Sequence, residues 1–351
     1  MMRAMELWLP AYLAQVLSRT PRPPAGEPLT IYLAVADHFE PFWGRASEPL
    51  ARQRLAAWER ELGPTVQELG DALGRVPQHT FFYPLEDYRP EFLDRLAALC
   101  DRGLGQVEVH LHHQGESSAQ LEEMLLAYAE KLHQRHGLLR RDPESGRVLY
   151  GFIHGNWALD NSLPDGSWCG VNDEISILAR TGCYADFTLP SAPSPAQTRT
   201  INAIYYATDD PLRPKSHDRG RPSRVGGVEG GDLLLVQGVL ALDWRRRKWG
   251  LVPRLETSDL SGHLPPSASR MRLWLAFAPR VHGAPQACFI KLSCHGAPEK
   301  NQPALLGPVA RDFYRHLTQH YNDGQRFRLC FVTCWEMVQA IHALEQGSDP
   351  P

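Results

Sequence analysis

From residue 29 onward, short apolar segments alternate regularly with longer segments whose apolar residues recur at helical spacing. This alternation constrains the fold strongly, because strand, helix and strand in succession require parallel strands joined by right-handed crossovers. The predicted strands cover residues 30–36, 79–83, 107–112, 148–154 and 185–189, and the predicted helices cover residues 50–73, 90–102, 117–136 and 172–181. The pattern is typical of either a doubly wound sheet or a (β/α) barrel.

The first predicted strand lacks the G-x-G-x-x-G sequence that marks a dinucleotide-binding fold. We therefore predict an α/β chain that forms a distorted (β/α) barrel of about seven or eight strands, as one domain over residues 1–351. Within it, residues 1–28 are predicted to form a helix and linker, and residues 205–275 an inserted loop and β region. Later strands are predicted at 232–242, 271–277 and 288–292, followed by a helix at 305–321, a strand at 327–332 and a helix at 334–344.

Charge and hydropathy argue against two classes of partner. The 37 basic and 40 acidic side chains give a net charge of −3, so no global positive field attracts nucleic acid. No run approaches the roughly 18 to 20 apolar residues of a spanning helix, so we expect no integral membrane segment. The N-terminal apolar stretch is interrupted by Glu6, Pro10 and Gln15, and the seven cysteines form no C-x-x-C pair. Both features predict a cytoplasmic location.

Polar, metal-competent side chains follow several of the predicted strands. They are Asp37 and His38 after the first, His110 to Glu116 after the third, His154 to Asn161 after the fourth, Asp186 at the fifth, and His295 after a late strand. Each alone fits a helix cap or a hydrogen-bonded core histidine. Because functional groups of parallel α/β folds gather at the carboxyl ends of the strands, we expect these side chains to converge.

The third predicted strand indicates how two of these histidines are arranged. Strand periodicity places Glu108, His110 and His112 on one face. Two imidazoles two residues apart, near an acidic residue of a neighbouring strand, can bind a divalent ion at about 2 Å. Such an ion polarises a carbonyl and activates water for hydrolysis, and His295 is a candidate acid for the leaving group.

The same segments resemble the motifs of the polysaccharide deacetylase family, metal-dependent carbohydrate esterases built on a distorted (β/α) barrel. The three segments are A-V-A-D-H-F-E-P at 34–41, V-E-V-H-L-H-H-Q-G-E at 107–116 and K-L-S-C-H-G at 291–296. They resemble the paired acidic residues of the family's first strand, its H-x-x-x-H motif and its late leucine-histidine element. The resemblance spans roughly residues 30–345 in element order, outside 205–275.

The resemblance implies a role for each matching residue. Asp37 matches the catalytic base and His295 the acid, while His38 occupies the position of the metal-binding aspartate. His112 matches the first metal-binding histidine, and Glu116 stands in place of the second. The predicted substrate cleft is lined by residues of neighbouring strand ends: His113, His154, Asn156, Trp157, Asp160, Asn161 and Asp186.

Two ligand sets remain open at this point. His38 and Glu116 exchange ligand types relative to the family, whereas Asp37 with His110 and His112 needs no exchange. With either set, the predicted function is hydrolytic removal of an acyl (acetyl) group from an N-acylated sugar or polysaccharide precursor. Water activated by Zn²⁺, or by Co²⁺ or Mn²⁺, would be the nucleophile. The alternatives are a non-catalytic carbohydrate-binding barrel and an amidohydrolase that acts on a small amide with Lys291 at a two-metal site.

Overall fold

The helices and strands follow the alternation read from the sequence. A computed structural model describes residues 4–18, 21–227 and 230–348. The helices are α1 Met5–Leu17, α2 Glu48–Val66, α3 Pro90–Asp101, α4 Ser118–His136, α5 Glu174–Thr181, α6 Ala268–Phe277, α7 Gln302–Leu305, α8 Pro308–His320 and α9 Cys334–Glu345. The strands are β1 Leu29–His38, β2 His79–Pro84, β3 Gly105–Leu111, β4 Arg140–Arg141, β5 Val148–His154, β6 Cys183–Asp186, β7 Ile204–Ala207, β8 Arg221–Pro222, β9 Leu233–Val236, β10 Ala241–Lys248, β11 Val252–Glu256, β12 Asp259–Leu260, β13 Ala287–Cys294 and β14 Phe327–Phe331.

A large, mostly parallel sheet forms the centre of this mixed α/β fold. Its strand order is β12-β13-β1-β2-β3-β5-β6-β9-β7-β8, and the strands from β12 to β9 in this order are parallel. β7 runs antiparallel to β9 and to β8, and β4 runs antiparallel to β5. β10 and β11 form a separate antiparallel hairpin. The carboxyl ends of the strands from β12 to β9 therefore meet at one edge of the sheet.

β1 lies between strands that contribute to the same edge. Along one side it pairs with β13, and the register sets Asp37 opposite Cys294. Its first half also pairs with β14, and its last residues pair with β2. The end of β1 is thereby flanked by the ends of β2 and β13, so residues that follow β1 and β13 come close together although they are far apart in sequence.

The two faces of the sheet pack into two separate apolar clusters. One contains Leu33 and Val35 of β1 together with side chains of the covering helices, such as Trp58 of α2. The other contains Tyr32, Ala34 and Ala36 of β1 and most buried residues of α9. Because side chains alternate along a strand, His38 continues the second series and lies on the face that α9 covers.

The sheet curls toward this second face. The buried Lys291 of β13 reaches across it, and its Nζ donates hydrogen bonds to the carbonyl oxygens of Phe187 and Leu189, the latter at 2.6 Å. Phe187 directly follows β6 and Leu189 lies two residues further along, and β6 stands five places from β13 in the strand order. A flat sheet would hold these strands far apart, at about 4.8 Å per strand.

Two predicted strands are corrected by the structure. Residues 271–277 form the last part of helix α6, because Ser267 caps its N-terminus by accepting a hydrogen bond from the Arg270 backbone N–H. The buried Met271 and Trp274 are three residues apart, as on one face of a helix. The predicted strand 232–242 is divided between β9, which joins the central sheet, and the start of β10. Across the described ranges, we find no helix with the length and apolarity needed to cross a bilayer.

Candidate metal centre

Imidazole groups from two strands and one later turn surround a single carboxylate, that of Glu40. Glu40 follows β1, and His295 follows β13. His110 lies in β3, and His112 directly follows it. Glu40 Oε1 lies 3.6 Å from His110 Nε2 and 3.3 Å from His112 Nε2. Glu40 Oε2 lies 3.7 Å from His295 Nε2. Three imidazoles thus point the same nitrogen at one buried carboxylate.

Outer hydrogen bonds orient two of these rings. His110 Nδ1 lies 2.8 Å from the carbonyl oxygen of Ile153, and His112 Nδ1 is bonded to the carboxylate of Glu86. Since a carbonyl and a carboxylate only accept hydrogen bonds, the neutral rings carry their proton on Nδ1 and keep a lone pair on Nε2. Metal-binding histidines are commonly oriented in this way by an acceptor on the far nitrogen.

The group fits a divalent cation. Ligand atoms of Glu40, His110 and His112 all lie within 4.8 Å of one another. Glu40 Oε2 and His110 Nε2 are buried and have no hydrogen-bond partner. Burial raises the pKa of the Glu40 carboxyl, but His110, His295 and His112 outweigh it and hold the pKa below its ordinary value. A carboxylate and unprotonated imidazoles are ligands that zinc binds in catalytic sites.

His38 and His295 form the wall beside this group. Their rings stack at 4.6 Å between centroids, and His38 also meets the edge of His110 at 5.0 Å. Burial lowers the pKa of His38 well below its ordinary value, and the neighbouring His295 and His110 lower it further. Burial also lowers the pKa of His295, against the opposing effect of Glu40 and Asp37. Both rings are therefore neutral near pH 7.

A cleft of about 470 Å³ opens beside His295. Two exposed tryptophans stand at its mouth: the ring centroid of Trp43 is 4.9 Å and that of Trp157 is 6.3 Å from the His295 ring. Ser191 and Asp259 line other parts of its wall. A larger cavity of about 660 Å³ lies elsewhere, between the C-terminal end of α1 and β7, and contains none of the histidines around Glu40.

Asp37 lies apart from these histidines. It points to the opposite face of β1, where its Oδ1 accepts a hydrogen bond from the Gly296 backbone N–H at 2.7 Å. His79 Nδ1 lies 3.6 Å from its Oδ2. A Cβ at Gly296 would lie 2.1 Å from Asp37 Oδ2, so only glycine allows this close approach. The structure does not bring Asp37 to His112.

The other predicted residues are also divided between places. Of the predicted metal ligands, Glu116 lies with His113, 3.7 Å from its Nδ1. His113 and His154 form a separate buried group with Cys169 and Glu174. Of the predicted cleft residues, only Trp157 lines the cleft. Polar contacts outside the cleft hold three of the others: Asp160 accepts from the Ser216 backbone N–H, Asn161 donates to Asn172, and Asp186 accepts from Thr188. Asn156 adopts a positive φ of 55° in the turn before Trp157.

The sequence interpretation did not assign Glu40, Glu86, Cys169 or Glu174. The sequence does contain an indication for Glu40. It follows His38 by two residues, and the alternation of side chains along a strand places both on the same face of the sheet. Glu86 follows β2 by two residues and so lies at the same sheet edge. No local pattern indicates Cys169 and Glu174, which enter their group from a long turn and from the start of α5.

Asp259 in the cleft wall gives a stability prediction. Burial raises the pKa of its carboxyl to about 7; Arg270 lowers it, while Glu256 and Asp37 raise it. Because the folded state holds this proton more tightly, its contribution to stability is present below pH 4 and is lost as pH rises through 7. We expect Asp259→Asn to be more stable than wild type by on the order of 2 kcal/mol at pH 8, with little difference at pH 4. Urea denaturation at both values measures this.

The exposed Asp101→Asn is the matched control, and its difference from wild type should be small at both pH values. An Asp259→Asn protein with a pH-independent difference from wild type would contradict the raised pKa.

The geometry therefore presents a carboxylate ringed by imidazoles at the side of a cleft, beside two exposed tryptophans. No protein-family model matches this chain, and no curated protein is significantly similar to it.

Proposed function

We propose that this protein is a metal-dependent hydrolase that removes an acyl group from an N-acylated sugar or polysaccharide precursor. The observation that carries this proposal is the convergence of His110, His112 and His295 on the buried carboxylate of Glu40, next to a cleft. Buried imidazole and carboxylate groups without hydrogen-bond partners are costly unless a cation or substrate binds them. Their position at the carboxyl ends of parallel strands is where α/β enzymes hold their reacting groups.

The proposal includes a distorted (β/α) barrel, as the resemblance to polysaccharide deacetylases implies. The contact of Lys291 with the residues after β6 supports it, because this contact requires strong curvature of the sheet. A cytoplasmic location is also proposed, and the cysteines support it, since all seven are free thiols.

Glu40, His110 and His112 would hold the metal. Zn²⁺ suits this combination of imidazole and carboxylate, and Co²⁺ or Mn²⁺ is the alternative. A divalent cation supplies Lewis acidity, which polarises the acyl carbonyl and makes water nucleophilic near neutral pH. Glu86 holds His112 in the tautomer whose Nε2 is free to bind.

His295 is placed to move the proton that the reaction requires. It lines the cleft, and its lowered pKa leaves a neutral ring that can accept a proton from the attacking water. The same ring then donates this proton to the departing nitrogen as the C–N bond breaks, so the products are a carboxylic acid and an amine. Since Asp37 lies on the other face of β1, His295 takes the roles of base and acid in turn.

The exposed tryptophans support a sugar as the substrate. Trp43 and Trp157 are partly exposed to solvent and contact the His295 ring. An aromatic face packs on the apolar C–H surface of a pyranose while hydroxyl groups stay hydrated. An N-acyl group of a ring held there would be directed toward His295 and Glu40.

The test is amine release from N-acetylglucosamine oligomers by the full-length protein. Treatment with a chelator should reduce turnover to background, and addition of Zn²⁺, Co²⁺ or Mn²⁺ should restore it. Turnover that survives complete loss of metal would refute the proposed mechanism. If the oligomers bind tightly but are never cleaved, and His112→Ala leaves this binding unchanged, the chain is a carbohydrate-binding barrel instead.

A further inference from the structure

A second cluster of metal-competent side chains lies on the other face of the sheet from Glu40. It consists of His113, His154, Cys169 and Glu174, and all four are buried. The Nε2 atoms of His113 and His154 are 3.0 Å apart. Glu174 Oε1 lies 3.0 Å from the first and 3.6 Å from the second. Cys169 Sγ lies 3.4 Å from Glu174 Oε2. The four donor groups therefore enclose one small volume.

His113 Nε2 faces both Glu174 Oε1 and His154 Nε2 inside the cluster, so one N–H at most links these three groups. His154 Nδ1 is bonded to the carbonyl oxygen of Gly155, so its neutral ring directs an unprotonated Nε2 inward. His113 Nδ1 is buried without a hydrogen-bond partner and faces the carboxylate of Glu116 at 3.7 Å. A proton on this Nδ1 would leave the Nε2 of His113 unprotonated as well. In that tautomer two lone pairs and a carboxylate face one another, and a cation would take the place of the single proton that otherwise links His113 to Glu174.

Backbone N–H groups donate hydrogen bonds to two of the four members of the cluster. The Asn161 N–H donates to Cys169 Sγ at 3.2 Å, and the Asp160 N–H donates to Glu174 Oε2 at 2.6 Å. Burial and the neighbouring Glu174 raise the pKa of the Cys169 thiol, and the Asn161 N–H opposes this rise, so a bound metal would displace the thiol proton. Glu174 Oε1 meanwhile stays directed at the two imidazoles.

The turn that supplies these donors is unusual in its backbone. Non-glycine residues with positive φ recur along it: Asn156, Trp157, Asp160, Asn161 and Trp168. Such conformations cost free energy and persist only where the surroundings fix them. A metal bound between the end of β5, Cys169 in the turn and the start of α5 would fix both ends of this segment.

We propose that His113, His154, Cys169 and Glu174 bind a structural zinc ion. Two imidazoles, a thiolate and a carboxylate are all zinc ligands. In a tetrahedral zinc site, nitrogen ligands at about 2.0–2.1 Å from the ion are about 3.3 Å apart, close to the separations found here. All four positions are taken by protein atoms and none is open to solvent, as in structural zinc sites. This inference does not rest on the proposed hydrolase function.

The ion would also position the cleft. His113 directly follows His112, and Gly155, which follows His154, lies against the His112 ring: a Cβ there would be 2.3 Å from His112 Cδ2. Trp157 lies two residues further along the same turn. The structural zinc would thereby fix the approach of one ligand of the Glu40 site and of one tryptophan at the cleft mouth.

Cobalt substitution tests the site through its sulfur ligand. The full-length protein is produced in minimal medium with CoCl₂, and its absorption spectrum is recorded. A Co²⁺–thiolate bond gives an intense charge-transfer band in the near ultraviolet, which the Glu40 site cannot give because it contains no cysteine. We expect the band in wild type and its loss in Cys169→Ser.

Cys294→Ser is the matched control. Cys294 is buried beside Asp37 and His79 in another metal-competent group, but its partner Asp37 already accepts the hydrogen bond from Gly296. The band should persist in this variant. A band that survives Cys169→Ser, or disappears in Cys294→Ser, would overturn the assignment.

Metal content gives a second readout that does not depend on how Cys169→Ser folds. Elemental analysis of zinc-grown protein should find one zinc ion in Glu40→Gln, together with an undiminished cobalt band in the cobalt-grown variant. A zinc-free Glu40→Gln protein without a cobalt band would show that a protonated His113, and no metal, holds the cluster together. Amine release is measured separately, so a failed deacetylation assay with an intact band would refute the hydrolase and leave the zinc site in place.

Discussion

Replacing Glu40 with glutamine is expected to abolish amine release from N-acetylglucosamine oligomers and to remove the metal from the cleft site. The Nε2 atoms of His110, His112 and His295 all face the carboxylate of Glu40. Glutamine has nearly the same size but no charge, so the imidazoles would face a weakly coordinating amide. Changes to groups that only orient ligands cost about 10–100-fold in metal affinity or activity, and loss of a ligand should exceed the upper end of that range.

Variants of two other glutamates serve as comparisons for Glu40→Gln. Glu86→Gln should cost about 10–100-fold, because Glu86 orients His112 from outside the ligand set. Glu48→Gln should leave turnover unchanged, since Glu48 is exposed at the start of α2. Isothermal titration with Zn²⁺ after chelation measures affinity, and steady-state kinetics measures turnover. Full activity and unchanged zinc affinity in Glu40→Gln would refute the assignment of this centre.

The convergence of His110, His112, Trp157 and His295 near the end of β1 could be predicted from sequence. Each follows or ends an apolar run that alternates with helical segments, and parallel strands present their carboxyl ends at one edge. The rule places residues at an edge of the sheet without saying which face they occupy. It therefore predicts the neighbourhood of the site but does not choose among adjacent polar residues.

The choice between Asp37 and Glu40 shows why the sequence of β1 does not predict which face of the sheet each side chain occupies. β1 is buried along nearly its whole length, with apolar side chains on both faces, so its sequence shows no alternation between a core face and a polar face. A step of one residue moves a side chain to the other face. Asp37 points toward His79, whereas Glu40 points toward His110.

The same one-residue step separates His112 from His113. His112 faces Glu40, while His113 meets His154 and Glu174 on the other side. The sequence also did not predict Cys169 as a partner of His113, because Cys169 follows a turn in which several residues other than glycine have left-handed backbone conformations. Sequence patterns rarely indicate such turns, since tryptophan seldom adopts this conformation, and asparagine and aspartate favour it but adopt it at only a minority of positions.

Helix α6 was mistaken for a strand for a different reason. The run from Met271 to Phe277 is short and largely apolar, and periodicity alone does not separate a buried strand from a buried helix of that length. The buried contact of Arg270 and Trp274 with Glu256 favours the helix over the strand, because residues four apart reach Glu256 together from one face of a helix.

This contact leads to the largest stability effect that we expect, from Arg270→Met. Arg270 and Glu256 are both fully buried and form a bidentate pair, with Nε–Oε2 at 2.8 Å and Nη2–Oε1 at 2.7 Å. Arg270 also donates to the carbonyl oxygens of Leu264 and Asp259 in the segment that forms the cleft wall. Removal of Arg270 leaves the Glu256 carboxylate with the partly exposed Arg246, whose Nη2 lies 3.2 Å from Oε2, and loss of one partner of a buried pair costs about 3–5 kcal/mol. Urea denaturation should show a loss of unfolding free energy in this range.

The double variant Arg270→Met/Glu256→Met separates lost charge pairing from lost packing. If the single variant is unstable because the Glu256 carboxylate is stranded, removing that carboxylate should recover much of the loss, since apolar replacements of buried pairs are often near neutral. Arg272→Met, two residues along the same helix and exposed, should change stability by less than about 0.5 kcal/mol. A double variant no more stable than Arg270→Met would show that the contacts to Leu264 and Asp259 dominate. The cleft wall would then depend on Arg270 as a hydrogen-bond donor rather than as the counter-charge of Glu256.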